Sequence, residues 1–106
     1  MKRATLLLDP NSNPLAGLNF PDYVDNMVLA ADTAEDYTVP EGARIVNITA
    51  DADFWARPDA TAAIPATEVS DGKGSILNPG MRSVAGVTKI SFKSSTACKI
   101  SIEVFS

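Results

Sequence analysis

The longest regular pattern in this 106-residue chain lies at its C-terminal end, where Cys98, Ile100, Ile102 and Val104 alternate with Lys99, Ser101 and Glu103. Period two puts every second side chain on one face, so 98–105 reads as a half-buried strand with one wet face. Shorter versions recur upstream. Thr88, Ile90 and Phe92 alternate with Val87, Lys89 and Ser91, and the short polar link Lys93–Thr96 predicts a C-terminal hairpin of these two strands. The β-branched run 44–49 follows Pro40-Glu41-Gly42, a turn with proline at its second position. Residues 27–29, 37–39, 53–56 and 67–69 are further strand candidates, and 70–74 and 78–80 have the composition of turns. The one helix-like window, Leu29 to Asp36, lacks an apolar stripe and supports a single turn at most. Many short strands without an amphipathic helix predict an all-β protein, a single antiparallel β-sandwich or jelly-roll-like domain over 28–106.

Residues 1–27 read differently. Pro10, Pro14 and Pro21 exclude a continuous helix or a central strand across 9–26. The same span carries Leu15, Leu18, Phe20 and Tyr23, more large apolar side chains than a disordered linker holds. It is expected to be an extended arm that docks on its own sandwich or on a neighbour.

Composition removes most catalytic chemistry. With no His, the chain lacks the commonest general base and the usual zinc nitrogen ligand, and its single Cys98 excludes an internal disulfide. Cys98 falls on the apolar face of its strand and reads as a small core hydrophobe. Asp51 and Asp53 are spaced for one strand face, but no third ligand lies nearby, and a strand-edge turn is the better account. Asp9, Asn11 and Asn13 imitate the start of a calcium loop that fails at Pro14 and Phe20. Gly72-Lys73-Gly74-Ser75 lacks phosphate-loop spacing, and Asn47-Ile48-Thr49 sits inside a strand. No cofactor is expected. No apolar run is long enough for a membrane span or a secretory leader, so synthesis in a cytoplasm is the expectation.

Net charge is −4, which disfavours nucleic acid as a partner. It divides into −8 over residues 1–71 (12 acids, 4 bases) and +4 over 72–106 (1 acid, 5 bases). Such a split suits head-to-tail contact between subunits or a basic face on an acidic partner. Phe54 and Trp55 are strand neighbours and cannot share a core. Either one of them covers the surface, or Trp55 and Arg57 anchor an interface, where Trp and Arg are enriched. Leu15, Leu18, Phe20, Tyr23, Trp55, Arg57 and Arg82 are the interface candidates.

Tyr37–Arg44 leading into Ile45–Ala50 and Asp53–Arg57, followed by Ile64-Pro65, Val69, Asp71–Ser75, Leu77-Asn78-Pro79, Arg82 and Ile90-Ser91, resembles the small β-sandwich virion proteins of tailed bacteriophages. These are the accessory head proteins called decoration or cement proteins, and related structural components. The resemblance covers 28–106 and implies a non-enzymatic protein on the capsid surface. It would bind the major capsid protein lattice and reinforce it, commonly as a homotrimer. A tail or head–tail component, a carbohydrate-binding module built around Trp55, and a small carboxylate enzyme are the alternatives.

Overall fold

The computed structural model describes every residue except Asp9, Ser12 and Asn13, and describes 6–8 and 14–17 by their backbone alone. Ten strands and no helix are found among the described residues: Leu6–Leu8 (β1), Pro14–Leu18 (β2), Val24–Leu29 (β3), Glu35–Thr38 (β4), Ile45–Ala50 (β5), Trp55–Pro58 (β6), Ile76–Leu77 (β7), Met81–Ser83 (β8), Lys89–Lys93 (β9) and Cys98–Phe105 (β10).

The last eight strands pair from the outside inward. β3 runs antiparallel to β10, β4 to β9, β5 to β8, and β6 to β7. Two further antiparallel pairs, β10 with β5 and β9 with β6, complete sheets ordered β3-β10-β5-β8 and β4-β9-β6-β7. This nesting of eight strands into two facing sheets is a jelly roll. The expected all-β sandwich is therefore the fold. Leu29, Val46, Ile48, Ile100, Ile102 and Val104 of the first sheet meet Tyr37, Ala56, Ile90 and Phe92 of the second in one buried cluster, joined by Phe54. The Phe54 and Phe92 rings lie 5.8 Å apart and tilted by 59°, a favourable aromatic arrangement.

Several expectations change. Strands 89–93 and 98–105 do not form a hairpin, because they belong to opposite sheets. Their link is an arch pinned by buried Ser94, which donates its hydroxyl to the Asp53 carbonyl (2.7 Å) and accepts the Asp32 amide on its own carbonyl (2.7 Å). Alternation shows that both strands face the core but not from which side. The candidate strand 67–69 lies within the loop 59–75, and β6 begins at Trp55, because the Phe54 amide donates to Asn78 Oδ1 (2.9 Å) instead of to a ladder partner. Leu29–Asp36 ends one strand and starts the next through a turn with Asp32 at φ +55°. The second turn spans Pro40–Ala43, with proline first and Gly42 at φ +84°, the left-handed position where a Cβ is strained.

The first strand of the body begins at Val24, inside the span read as arm. Before it, β1 and β2 pair only with each other and stand outside both sheets. Pro14 opens β2, a position that a missing N–H tolerates. Both ends of this hairpin are tied down. Asn19 accepts the Thr5 amide (2.8 Å) and donates to the Arg3 carbonyl (3.0 Å), and the Ser106 amide donates to the Lys2 carbonyl (2.8 Å).

Nesting also disperses the charge. Each sheet of the sandwich alternates strands from the acidic and basic parts of the chain, so the two signs meet inside one molecule. Asp36 pairs with Lys89 (3.6 Å), Asp51 accepts the Lys99 amide (2.8 Å), and Asp59 accepts the Thr88 and Lys89 amides (3.0 and 3.2 Å).

Candidate interaction surfaces

Trp55 and Arg57 share the outer face of the second sheet, since Phe54 and Ala56 between and before them point inward and are buried. Trp55 lies in register between Lys93 of β9 and Leu77 of β7, and Arg57 lies beside Ser91. The loop 59–75 roofs part of this face. Buried Ala62 donates its amide to the buried Ser91 hydroxyl (2.8 Å), and Ala63 donates to Ser75 Oγ (3.0 Å). Between loop and sheet runs an open cleft of about 570 Å³ lined by Arg57, Glu68, Val69 and Lys73. Trp55 and Arg57 are half-buried, and the Arg57 guanidinium meets no acceptor among the described residues. A loop this long without secondary structure is a common carrier of binding function.

The arm residues do not converge. Phe20 is 92% exposed, whereas Tyr23 is half-buried and packs against the edge of the core, its carbonyl accepting the Val104 amide (2.9 Å). Leu18 is half-buried and pairs with Leu6. The side chain of Leu15, and Asp9 and Asn13 of the failed calcium pattern, lie outside the described residues.

Arg82 is on the opposite sheet from Trp55, on the edge strand β8 of the first sheet. It stands opposite Val46 and donates to its neighbour's carbonyl at Met81 (2.9 Å). A charge on the inward register of an edge strand discourages unwanted strand addition. Beside it, sequence reasoning missed a surface. β7 and β8 are the shortest edge strands of the two sheets, and their side of the sandwich does not close. A cleft of about 110 Å³ opens there between the sheets, lined by Ile48, Ala56, Ile76, Pro79, Val84 and Ile90 with Arg82 at its rim. Ile76 in its lining is exposed, as are its strand neighbours Leu77 and Met81, which the register turns to the outer faces of the two sheets. The adjacent apolar pair Ile76-Leu77, framed by two turn segments, was the available signal.

The paired carboxylates Asp51 and Asp53 have structural partners. Asp51 is held below the usual carboxylate range by the Lys99 amide, and Asp53 accepts from Asn78 Nδ2 (2.9 Å). No group of three metal-ligating side chains occurs among the described residues. Burial pushes the Cys98 thiol up, and its Sγ faces the Ala52 carbonyl at 3.7 Å. Among the described residues no helix is long and apolar enough to cross a membrane, which leaves strand-built spanning aside. The sequence matches no protein-family model, and comparison with curated proteins and with solved structures finds no relative.

Proposed function

We propose that this chain is a non-enzymatic structural protein that attaches to a tailed-phage capsid as an oligomer and stiffens it. The observation that carries this reading is the β1–β2 hairpin. Its strands hold Leu6, Leu7, Leu8, Leu15 and Leu18 and no charged residue, yet they pair with no strand of their own sandwich. A two-stranded hairpin is marginal alone in water and becomes stable when it gains a third strand or a surface. A neighbouring chain in a lattice supplies both. The resemblance in 28–106 and the jelly roll, a fold of many capsid proteins, support the same reading. The Trp55–Arg57 face is a second contact on the capsid, since an aromatic beside an unpaired guanidinium suits an acidic partner surface.

The test replaces residues 6–18 by a short glycine-serine link, leaving β3 and the ties at Asn19 in place, and measures cosedimentation with capsids lacking the protein. Loss of binding with an unchanged thermal midpoint is expected. Undiminished binding sinks the role given to the hairpin. Immunogold label confined to tails overturns the capsid assignment and retains a structural one.

A further inference from the structure

We infer that Phe20 of one copy of this chain seats in the cleft between β7 and β8 of a second copy, making a head-to-tail contact. Phe20 is the most exposed large apolar side chain among the described residues, and it is held in position. Pro21 behind it restricts its backbone to extended conformations, and Asn19 before it is hydrogen-bonded to Thr5 and Arg3. A rigidly presented aromatic loses little freedom on docking. The β7–β8 cleft offers the complementary hole. Its lining is apolar apart from Arg82 and Ser83, and its volume is about 110 Å³. An apolar cavity of roughly 150 Å³ takes up a benzene molecule, so this open cleft seats most of one phenyl ring.

Charge favours a second copy as the occupant. Asp22 lies two residues from Phe20; its half-exposed carboxyl accepts the Lys2 amide (2.7 Å), which holds it below the usual range, and faces the Met1 ammonium at 3.6 Å. Arg82 at the cleft rim bonds only the Met81 carbonyl among the described residues. Seating Phe20 brings this carboxylate toward that guanidinium while covering Ile76. Phe20 and the cleft are different patches, so the contact is heterologous: repeated, it closes into a ring such as a trimer or grows into a file. This goes beyond capsid attachment and stands on the isolated chain.

Size-exclusion chromatography with light scattering and native mass spectrometry test it on the purified chain. The wild type is expected above monomer mass, and Phe20→Asp and Ile76→Asp each as monomers. Mixed together, the two variants retain one intact Phe20 and one intact cleft, and dimer without larger species is expected. A photo-crosslinking phenylalanine analogue at position 20, in a mixture of light and heavy chains, is expected to join residues 76–84 of the other chain. This arm reads out even if Ile76→Asp fails to fold. A monomeric wild type, a Phe20→Asp variant of wild-type mass, or crosslinks elsewhere overturn the inference. Capsids that still bind the monomeric variants leave the capsid reading intact, and an assembled chain that ignores capsids defeats that reading alone.

Discussion

Tyr37 donates its hydroxyl proton to Asp25 Oδ2 at 2.6 Å, joining β4 of one sheet to β3 of the other. This closes the β3–β4 side of the sandwich with a polar latch, whereas the β7–β8 side stays open. Removing the donor leaves a part-buried carboxylate oxygen unpaired. Tyr37→Phe is expected to cost about 1–3 kcal/mol, the usual range for an orphaned polar partner. For a domain of this size each kcal/mol lowers the thermal midpoint by roughly 4–8 °C, which calorimetry reads directly.

The same latch sets an alkaline limit. Burial, and then the bond to Asp25, hold the Tyr37 hydroxyl far above the ordinary tyrosine range. Its native value is raised above the unfolded value of about 10, so its contribution is complete below that pH and declines as pH rises further. Urea midpoints are expected to fall from about pH 10 upward in the wild type and less steeply in Tyr37→Phe. Equal slopes would show that the latch does not govern alkaline stability.

Acid acts on a different set of residues. Asp59 accepts the Thr88 hydroxyl (2.8 Å) and the amides of Thr88 and Lys89, and Asp51 accepts the Lys99 amide. These bonds hold both carboxyls below their ordinary values. Depressed native values mean stability that is present above the unfolded value of about 3.9 and lost as pH falls through the native ones. Asp59→Asn with Asp51→Asn is expected to flatten the acid limb of a urea-midpoint profile, while the neutral midpoint drops.

How far these features were legible differs by kind. β10 and the core residues Cys98 to Val104 followed from alternation, because one buried face leaves a period-two trace. The assignment of β9 and β10 to opposite sheets did not, since both sheets share one core and alternation is blind to which side a strand approaches from. The Trp55–Arg57 face was legible from i, i+2 spacing alone. The cleft beside Ile76 was not, because it is created by two short edge strands that meet only in the folded jelly roll. The charge split read as a surface property, yet in the fold Asp51, Asp53 and Asp59 of the acidic part serve as acceptors for backbone and side-chain donors of the basic part.

Asn78 makes a local prediction. It holds φ +48°, accepts the Phe54 amide on Oδ1, donates to Asp53 through Nδ2, and donates its own amide to the Phe54 carbonyl (2.9 Å). Glycine tolerates the backbone angle but leaves the Phe54 amide without a partner. Asn78→Gly is expected to cost about 1–3 kcal/mol, and Asn78→Ala more, by the added strain at positive φ. Faster amide exchange at Phe54 than at Ile102 in Asn78→Gly is the accompanying signature; equal protection contradicts the cap.

Phe105 carries the last prediction. It follows Ser101 and Glu103 on the outward register of β10, yet it is fully buried and lies outside the main core cluster. Ser106 beside it binds the backbone of Lys2 and Met1 (2.8 and 3.1 Å), and the Arg44 amide donates to the Phe105 carbonyl (2.8 Å). The first residues of the chain are thus tied across the end of β10 beside this buried ring, a cover apart from the main core cluster. Truncating a buried Phe costs about 3–5 kcal/mol, a large share of the ~5–15 kcal/mol that holds a domain together. Phe105→Ala is expected to destabilise by that amount, and Asn19→Ala, which loosens the tie of the first residues without touching Phe105, by about 1 kcal/mol. In Asn19→Ala, hydrogen exchange is expected to quicken at Thr5 and Ser106 while Ile102 keeps its protection. Uniform acceleration across all three amides would show that the cover and the sandwich unfold as one unit.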